Sequence, residues 1–441
     1  MANTNSDGMS LRNFLKVPDI RQRLLFTLLI LVVVRLGAAI PVPGVSRDVF
    51  ESWFSSQNSA MDLFDALTGG SFSSMSIFAL SITPYITSSI IMQLMTIIIP
   101  SLEELQKDSD GREKMQEYTF YVAIALAAVQ GIAMGIGFYR SNNLAVHSIP
   151  CMLVVIVALV TGACALIFLG QEITKHGVGN GISIILLFNI IAKLPQDLKT
   201  LYDTFMSGKN IVKAGLALVV IVAVVLFMIV FVICLQDAYI KIPVQNSQKV
   251  VGRRTIGSVG DNIPFKINSA NVIPVIFASS IMSLPSLVCM FAGSTPGGIP
   301  GEIIKMLSQS NWFNPAAPKY TIGAVIYGFL VVSLAYFYTS ITFNPREVAE
   351  RLKERGSFIP GHRPGKQTVD YLNQLSNSTI VIGAVGLLFI ALLPIVLAGI
   401  TGADVSFGGT SLIIIVGVII ETIRQVDSKV EQRHLSGIFS K

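Results

Sequence analysis

The chain has 441 residues, of which 52% are apolar and 13% are charged, and 32 Lys and Arg against 26 Asp and Glu give a formal net charge of +6. Soluble proteins carry about 25% charged residues, so the composition excludes an ordinary soluble domain and indicates a membrane protein. In a membrane protein, a basic surplus records topology more often than nucleic-acid binding, and we expect no specific nucleic-acid recognition. The four cysteines lie in apolar runs without a Cys-x-x-Cys pair, which argues against a disulfide framework and a zinc site.

The first segment, residues 1–21, is predicted to be cytoplasmic and amphipathic. Leu11, Phe14 and Leu15 fall on one face of a short helix that ends at Pro18, which favours an interfacial anchor over a disordered tail. No cleavable signal peptide is predicted, because polar residues come first and the first apolar run has no small-residue cleavage site.

Ten apolar runs are predicted to span a membrane, since a spanning helix needs about 20 mostly apolar residues. The predicted spans are 22–40, 76–99, 118–138, 151–169, 181–194, 214–235, 271–292, 320–341, 378–400 and 409–423. An even number places both termini on one side of the membrane. Most Lys and Arg residues lie in the N-terminal segment, the tail and the loops after even-numbered spans, so the positive-inside rule predicts cytoplasmic termini.

Five spans fall in each half of the chain. The N-terminal half covers 22–199, an external hinge loop covers 200–213, the C-terminal half covers 214–424, and a cytoplasmic tail covers 425–441. Because five is odd, the second half enters the membrane from the opposite side, and the two halves form a predicted inverted repeat.

Two pairs of spans match in sequence across the halves. "PYITSSII" in span 2 and "PVIFASSI" in span 7 both read Pro-x-Ile-x-x-Ser-x-Ile, while "GISIIL" and "GTSLII" open spans 5 and 10. The paired positions are Pro84 with Pro274, Ile86 with Ile276, Gly181 with Gly409, and Leu186 with Ile414. Short or Pro/Gly-interrupted segments at corresponding positions point to the functional centre of an inverted repeat. Ordinary helix packing is the alternative, since Gly, Ser and Pro are frequent in membrane helices.

The stretch "MDLFDALTGGSFSSM" before span 2 is too short and polar to span a bilayer and too apolar for a simple loop. Four apolar residues at helical spacing precede two glycines that stop the pattern. These residues are Met61, Leu63, Phe64, Leu67, Gly69 and Gly70. The pattern predicts half a helix.

The predicted spans carry few groups that could do chemistry. Spans 2 to 9 contain no acidic residue, which disfavours a proton pump but leaves open a sodium site of carbonyls and hydroxyls. Arg35 can snorkel from the last turns of span 1 toward the outer surface. The four histidines are scattered over loops and tail, and "GHRPGKQT" is mis-spaced for a phosphate loop. We therefore expect no enzyme activity, cofactor or metal, and any energy for transport must come from a partner.

Two loops are predicted docking sites on the cytoplasmic side, 236–268 and 343–376. In the second, Asn344 and Glu347 can form a capping box and Gly356 can close the helix. The "IPGHRPG" turn then holds its own arginine, Arg363, out into the cytosol. The residues assigned to docking are Arg363, Lys366, Arg253, Arg254 and Lys249. Basic loops can be topology signals alone, but orientation needs charge rather than a stiff turn.

Several long motifs resemble, in order and spacing, those of the bacterial SecY translocon family. They are "RLGAAIPVPGV", "SIFALSITPYITSSIIMQL", "GVGNGISII", "NVIPVIFASSI", "FNPREVAERLKERGSFIPGHRPGKQT" and "FGGTSLIII". The resemblance covers nearly the whole chain. It implies an all-α polytopic membrane protein with ten transmembrane helices in two inverted five-helix halves around a central hourglass pore, and a re-entrant plug half-helix at about 61–70.

The resemblance also implies site residues. Family members close the pore with a ring of bulky apolar side chains, which would exclude water and ions by dewetting. The matching positions are Ile82, Ile86, Ile182, Leu186, Ile276 and Ile414. Spans 2 and 7 form a lateral gate in the family, and the candidate polar gate residues here are Thr87, Gln93 and Asn271.

The implied function is a protein-conducting channel that passes unfolded, signal-bearing polypeptides across the bacterial plasma membrane and releases apolar segments sideways. The implied partners are SecE, SecG, the SecA ATPase, the ribosome, signal peptides, the translocating polypeptide and membrane lipid. One alternative is an inverted-repeat secondary transporter of a small solute. Another is an accessory translocon with restricted substrates, because "LQDAYIKIPVQNSQKVVG" carries few Lys and Arg where the family is typically rich in them.

Overall fold

The computed structural model is predominantly helical. It describes residues 18–46, 50, 65, 67–107, 109–140, 144, 146–205, 211–246, 249–251, 254–256, 261–291, 298–309, 312–313, 318–401 and 409–439. The helices are α1 (Pro18–Ala38), α2 (Thr83–Ile98), α3 (Pro100–Lys107), α4 (Ser109–Arg140), α5 (Ile149–His176), α6 (Gly181–Phe205), α7 (Ile211–Asp237), α8 (Ile273–Phe291), α9 (Ile299–Leu307), α10 (Thr321–Thr342), α11 (Pro345–Glu354), α12 (Lys366–Thr401) and α13 (Gly409–Phe439). The strands are β1 (Tyr239–Asn246), β2 (Lys249–Val251), β3 (Arg254–Ile256), β4 (Asp261–Lys266) and β5 (Ser357–Phe358).

Each of the ten predicted spans overlaps one helix, and α3, α9 and α11 are short helices between them. Among the described residues, four helical stretches are long and apolar enough to cross a membrane: Glu113–Arg140, Ile149–His176, Pro318–Glu354 and Lys366–Leu397. Shorter apolar helices cover Gly181–Gln196, Val222–Asp237 and Ile273–Pro285.

The predicted second span starts too early. Residues 76–82 form turns, and α2 begins only at Thr83. Ser81 has a φ of +50°, a backbone conformation that interrupts a helix, and Pro84 suits the first turn of a new helix because it has no N–H to satisfy. The apolar character of 76–82 reflects burial in protein, as at Ile82, which is 0% exposed.

α1 begins at Pro18, a residue type that suits the first helical position. The short amphipathic helix predicted before it lies outside the described residues. Two other predicted boundaries differ from the structure. The hinge loop predicted at 200–213 is largely helical, because α6 runs to Phe205 and α7 begins at Ile211. The predicted tail continues α13 as far as Phe439.

The chain divides into two compact units. The first contains Met1–Lys199, Pro285–Gly301 and Val418–Lys441, and the second contains Thr200–Leu284 and Glu302–Gly417.

The core of the first unit lies where α4 packs on α5 and on the segment before α2. The Phe50 ring contacts the rings of Phe72 and Phe138 edge to face, with centroids 5.7 and 5.5 Å apart, a favourable aromatic geometry. Gly135 lets α4 approach α5 closely, because a Cβ there would lie 2.3 Å from Cγ1 of Ile156. Small residues serve this purpose in membrane helix packing.

The second unit contains two small sheets that the sequence pattern does not predict. In the three-stranded sheet, β1 pairs antiparallel with β4 over Tyr239–Val244 and with β5 at its end, and a separate two-stranded sheet pairs β2 with β3. Strands β1 and β4 belong to loop 236–268, whereas β5 belongs to loop 343–376, so the two loops form one folded layer. Its apolar core consists of Ile242, Val244, Phe265, Ala349, Leu352, Ile359 and Leu372.

A substitution at Gly162 of α5 tests how closely the non-helical residues 76–82 pack on this helix. A Cβ at Gly162 would lie 2.1 Å from the carbonyl oxygen of Ile77, a backbone atom that cannot rotate away. Gly162→Ala is therefore expected to lower the free energy of unfolding by about 1–3 kcal/mol, although Ala is normally the better helix former.

The matched control is Gly328→Ala in α10, where the new Cβ would meet only the end of the Leu388 side chain, at 3.2 Å. This variant should be neutral or stabilising. Thermal unfolding in detergent compares the two, and equal Tm values would contradict the packing.

Candidate functional site

Helices α2 and α8 begin with the same local structure. Ser81 and Asn271 have φ angles of +50° and +53°, each two residues before the helix and three before its proline. Positive φ is uncommon in residues other than glycine, so its recurrence at matched positions supports an internal repeat. Ile86 and Ile276 are therefore each the fourth residue of their helix. Their N–H groups donate to the carbonyl oxygens of Ile82 and Val272 at 3.1 and 3.2 Å.

Helices α6 and α13 also begin at matched positions, the paired glycines Gly181 and Gly409. Gly181 is required by a close approach to α5, because a Cβ there would lie 2.0 Å from the carbonyl oxygen of Gly170. Its N–H donates to Oγ1 of Thr174 at 2.9 Å. Leu186 lies at the same distance along α6 as Ile414 does along α13, as the sequence pairing predicts.

The six predicted pore-ring residues are shielded to different degrees. Ile82 and Ile414 are 0% and 1% exposed, Leu186 and Ile182 are 6% and 8% exposed, and Ile86 and Ile276 are half-buried. Four of the six belong to the first unit, and Ile276 and Ile414 belong to the second. Their assembly into one ring stays a prediction.

Ile182 has a neighbour within its own unit. Its Cδ1 lies 2.5 Å from where a Cβ on Gly170 of α5 would be, so this side chain packs on the bare backbone of α5.

The predicted plug lies partly outside the described residues, which exclude Met61, Leu63 and Phe64. Its second part, Asp65 and residues 67–70, ends in a turn at Gly69 and Gly70, with φ angles of +67° and +78°. Leu67 is buried at 9% exposure. The predicted stop at the two glycines is confirmed.

Polar side chains from α1 and α6 contact this part of the predicted plug and the segment after it. Asp65 Oδ2 lies 2.9 Å from Lys193 Nζ, and Arg35 Nη1 donates to the carbonyl oxygen of Gly69 at 3.2 Å. Asn189 Nδ2 donates to Ser81 Oγ at 3.2 Å. Neither Lys193 nor Asn189 is among the residues predicted for the site. The signal that could have indicated Lys193 is an ionisable residue within a predominantly apolar helix.

The candidate gate residues have local hydrogen bonds. Thr87 Oγ1 donates to the carbonyl oxygen of Thr83 at 3.0 Å, and Gln93 Nε2 donates to Ser89 Oγ at 3.4 Å. The carbonyl oxygen of Asn271 accepts from Asn268 Nδ2 at 3.2 Å. A bond between α2 and α8 stays a prediction.

The tip of loop 343–376 is held in a defined turn. Gly361 and Gly365 have φ angles of +86° and +111°, which favour glycine. The carbonyl oxygen of Arg363 accepts from Thr368 Oγ1 at 2.9 Å, and the backbone N–H of Arg363 donates to Gln367 Oε1 at 3.2 Å. The Arg363 side chain is exposed, so the turn leaves it accessible to solvent; its stiffness and its docking role stay predictions.

The remaining predicted docking residues are placed less completely. Lys366 is exposed at the start of α12. Lys249 and Arg254 lie in strands β2 and β3, and Arg253 lies outside the described residues.

The described residues contain no cluster of three or more His, Cys, Asp or Glu that could hold a metal ion. His147 bonds to the Tyr139 carbonyl oxygen, and His176 pairs with Glu172. Outside the predicted spans, a hydrogen bond from Lys319 holds the pKa of the Glu302 carboxyl below its usual range.

Comparison with known proteins identifies the family. Residues 76–423 match the SecY family model. The chain is 38% identical over 438 residues to the protein translocase subunit SecY of Streptomyces scabiei, covering 96% of this chain and 97% of the relative. The chain belongs to the SecY family. A SecY relative from Bacillus subtilis is 37% identical over 444 residues, with 97% and 98% of the two chains covered.

Solved structures share the SecY fold. A protein-conducting channel matches with a TM-score of 0.60 at 18% identity, and Sec61 from a canine ribosome-channel complex matches with a TM-score of 0.56 at 18% identity; each match covers 92% of both chains. The predicted helical, multi-pass membrane fold is thereby confirmed, and the strands β1–β5 are an addition to it. SecY is a family of channel components, so the chain is not an enzyme, and the channel interpretation holds over the small-solute transporter.

Proposed function

We propose that the chain is the pore-forming subunit of a protein-conducting channel. Unfolded, signal-bearing polypeptides would cross the bacterial plasma membrane through it, and apolar segments would leave sideways into lipid. The observation that carries this proposal is the identity to translocase subunits over almost the full chain. The channel performs no covalent chemistry. Its residues must seal the idle pore, move aside for a passing polypeptide, and release apolar segments into lipid.

The seal is proposed to be the ring of Ile82, Ile86, Ile182, Leu186, Ile276 and Ile414. Matched helix starts in the two units support this, because an internal repeat would supply an equivalent aliphatic residue from each half. Aliphatic side chains exclude water and ions by dewetting, and they can move around a passing chain without binding it tightly. Residues 61–70 are the proposed plug.

The side exit is proposed to lie between α2 and α8, with Thr87, Gln93 and Asn271 as its polar residues. An intramembrane hydrogen bond between helices is worth about 1 kcal/mol. A signal helix could therefore compete with such bonds.

Both termini are proposed to be cytoplasmic, because most Lys and Arg residues then lie on the cytoplasmic side. Loops 236–268 and 343–376 would face the cytoplasm as a shared docking surface for the SecA ATPase and the ribosome. The other proposed partners are SecE, SecG, signal peptides and lipid. The pairing of β1 with β5 supports one surface, since it joins the two loops.

An accessory translocon with restricted substrates is a second candidate. The observation that favours it is strand β1, "YIKIPVQN", which contributes only one basic residue to the shared surface. Weaker docking at this loop would restrict which partners and substrates the channel serves.

Polar substitution of the ring tests the seal. Ile86→Asn and Ile276→Asn should each raise the ion conductance of the idle channel and allow export of substrates with defective signals, because a polar constriction stays wet. Single-channel recording and export assays measure both effects. Ile98→Asn, at an exposed position on α2, is the matched control and should behave as wild type. Unchanged conductance in folded ring variants would remove the ring assignment.

Reversal of charge at the loop tip tests docking. Arg363→Glu should strongly slow SecA-driven export into proteoliposomes while leaving the Tm unchanged, because the side chain is exposed and its backbone carries the turn. Arg363→Lys keeps the charge and should retain most export. Normal export by Arg363→Glu would rule out a docking role for this side chain.

A further inference from the structure

The ion pair between Asp65 and Lys193 is unusually shielded from water. Its side chains are 5% and 8% exposed, and the two charged atoms are 2.9 Å apart. Three other ion pairs in the described part of the chain, His176–Glu172, Lys319–Glu302 and Arg351–Glu347, have side chains between 28% and 67% exposed. Exposed pairs contribute little to stability, whereas a buried charge that loses its partner is strongly unfavourable.

The pair joins the proposed plug to helix α6. The second carboxylate oxygen of Asp65 accepts from the Ser73 N–H at 2.8 Å, so both of its oxygens have partners. Lys193 lies on α6, and its ammonium group lies 2.9 Å from Oδ2 of Asp65. A buried ion pair contributes little net stability compared with an apolar pair of the same volume. Its effect is to favour the arrangement that brings the two charges together.

Neighbouring contacts hold the same short stretch. Asn189 lies one turn before Lys193 on the same face of α6, and its Nδ2 lies 3.5 Å from the carbonyl oxygen of Leu67. Gly69 packs directly on α6, since a Cβ there would lie 2.8 Å from the Asn189 carbonyl oxygen. Arg35 on α1 binds the Gly69 carbonyl oxygen. The stretch thus contacts α6 on two successive turns and α1 on one.

We propose that Lys193 is a positioning residue that, through its ion pair with Asp65, latches the proposed plug against α6 and sets how readily the idle channel opens. This inference rests on the proposed channel function. The latch is reversible for a physical reason. A passage wide enough for polypeptide also admits water, so both charges regain hydration when the plug leaves. In the closed state each charge depends on the other.

The test uses the full complex purified from native membranes and placed in planar bilayers. A Leu67→Cys substitution is added after the four native cysteines are replaced. Two measurements report how often the plug leaves its closed position. One is the ion conductance without substrate, and the other is the rate at which the thiol introduced by Leu67→Cys reacts with a membrane-impermeant reagent.

Loss of one charge should open the channel. Lys193→Met leaves Asp65 buried without a counter-ion, and both readouts should rise about tenfold, equivalent to about 1.4 kcal/mol. Asp65→Asn leaves Lys193 buried without a counter-ion and should raise both readouts in the same way. If Lys193→Met does not fold, Asp65→Asn tests the latch in its place. Lys193→Arg keeps the charge and should restore closure. Lys199→Met, at an exposed position on the same helix, is the matched control and should match wild type.

The double variant separates a latch from a purely structural role. Asp65→Asn combined with Lys193→Met leaves no isolated charge, so it should open less than either single variant. Two results would overturn the latch: single variants with the conductance and labelling rate of Lys199→Met, or a double variant whose opening equals the sum of the two single variants. Passage of polypeptide through the wild-type protein would still support the channel in either case. Absence of polypeptide passage in wild type would overturn the channel function and the latch with it.

Discussion

Backbone N–H and C=O groups at membrane depth must find hydrogen bonds inside the protein, and the segment between α1 and α2 depends on this constraint. The Val42 N–H donates to the carbonyl oxygen of Met75 at 2.9 Å, and the Ile77 N–H donates to that of Ile40 at 3.0 Å. Gly162 lets α5 lie directly against Ile77. This stretch can leave the helical conformation because its own unit encloses it and supplies the missing partners. Displacing part of it must therefore bring water or other polar partners in its place.

Helices α2 and α8, one from each half of the chain, begin with the same backbone conformation. Ser81 and Asn271 share a left-handed backbone conformation, and a proline follows three residues later in both cases. This geometry places Ile86 and Ile276 at equivalent positions without any further specification. Polar side chains at such positions would keep a narrow passage hydrated, whereas aliphatic ones favour a dry passage that can still deform.

The two basic loops are better described as one folded body. β1 pairs with β4 from its own loop and with β5 from the other, and an apolar core beneath the strands includes Ala349 and Leu352 of α11. A partner that binds the tip around Arg363 would consequently act on both loops together. The proposed docking surface and the proposed latch lie on different elements, so substitutions can alter one without touching the other.

The sequence by itself determined which ten runs contain helices, the matched Pro positions of α2 and α8, the matched Gly positions of α6 and α13, and the Gly-rich turn around Arg363. These depend on hydropathy, capping and the placement of Pro and Gly, which act within a few turns of chain. Gly356, for example, ends α11 with a φ of +68°, as its position after the helix predicts. Only the tertiary structure decided that residues 76–82 are not helical, because apolar residues read the same whether they face lipid or protein. It alone also joined β1 to β5 and Asp65 to Lys193. Such pairs lie far apart in the chain, and their contact depends on how whole elements pack, which no local pattern encodes.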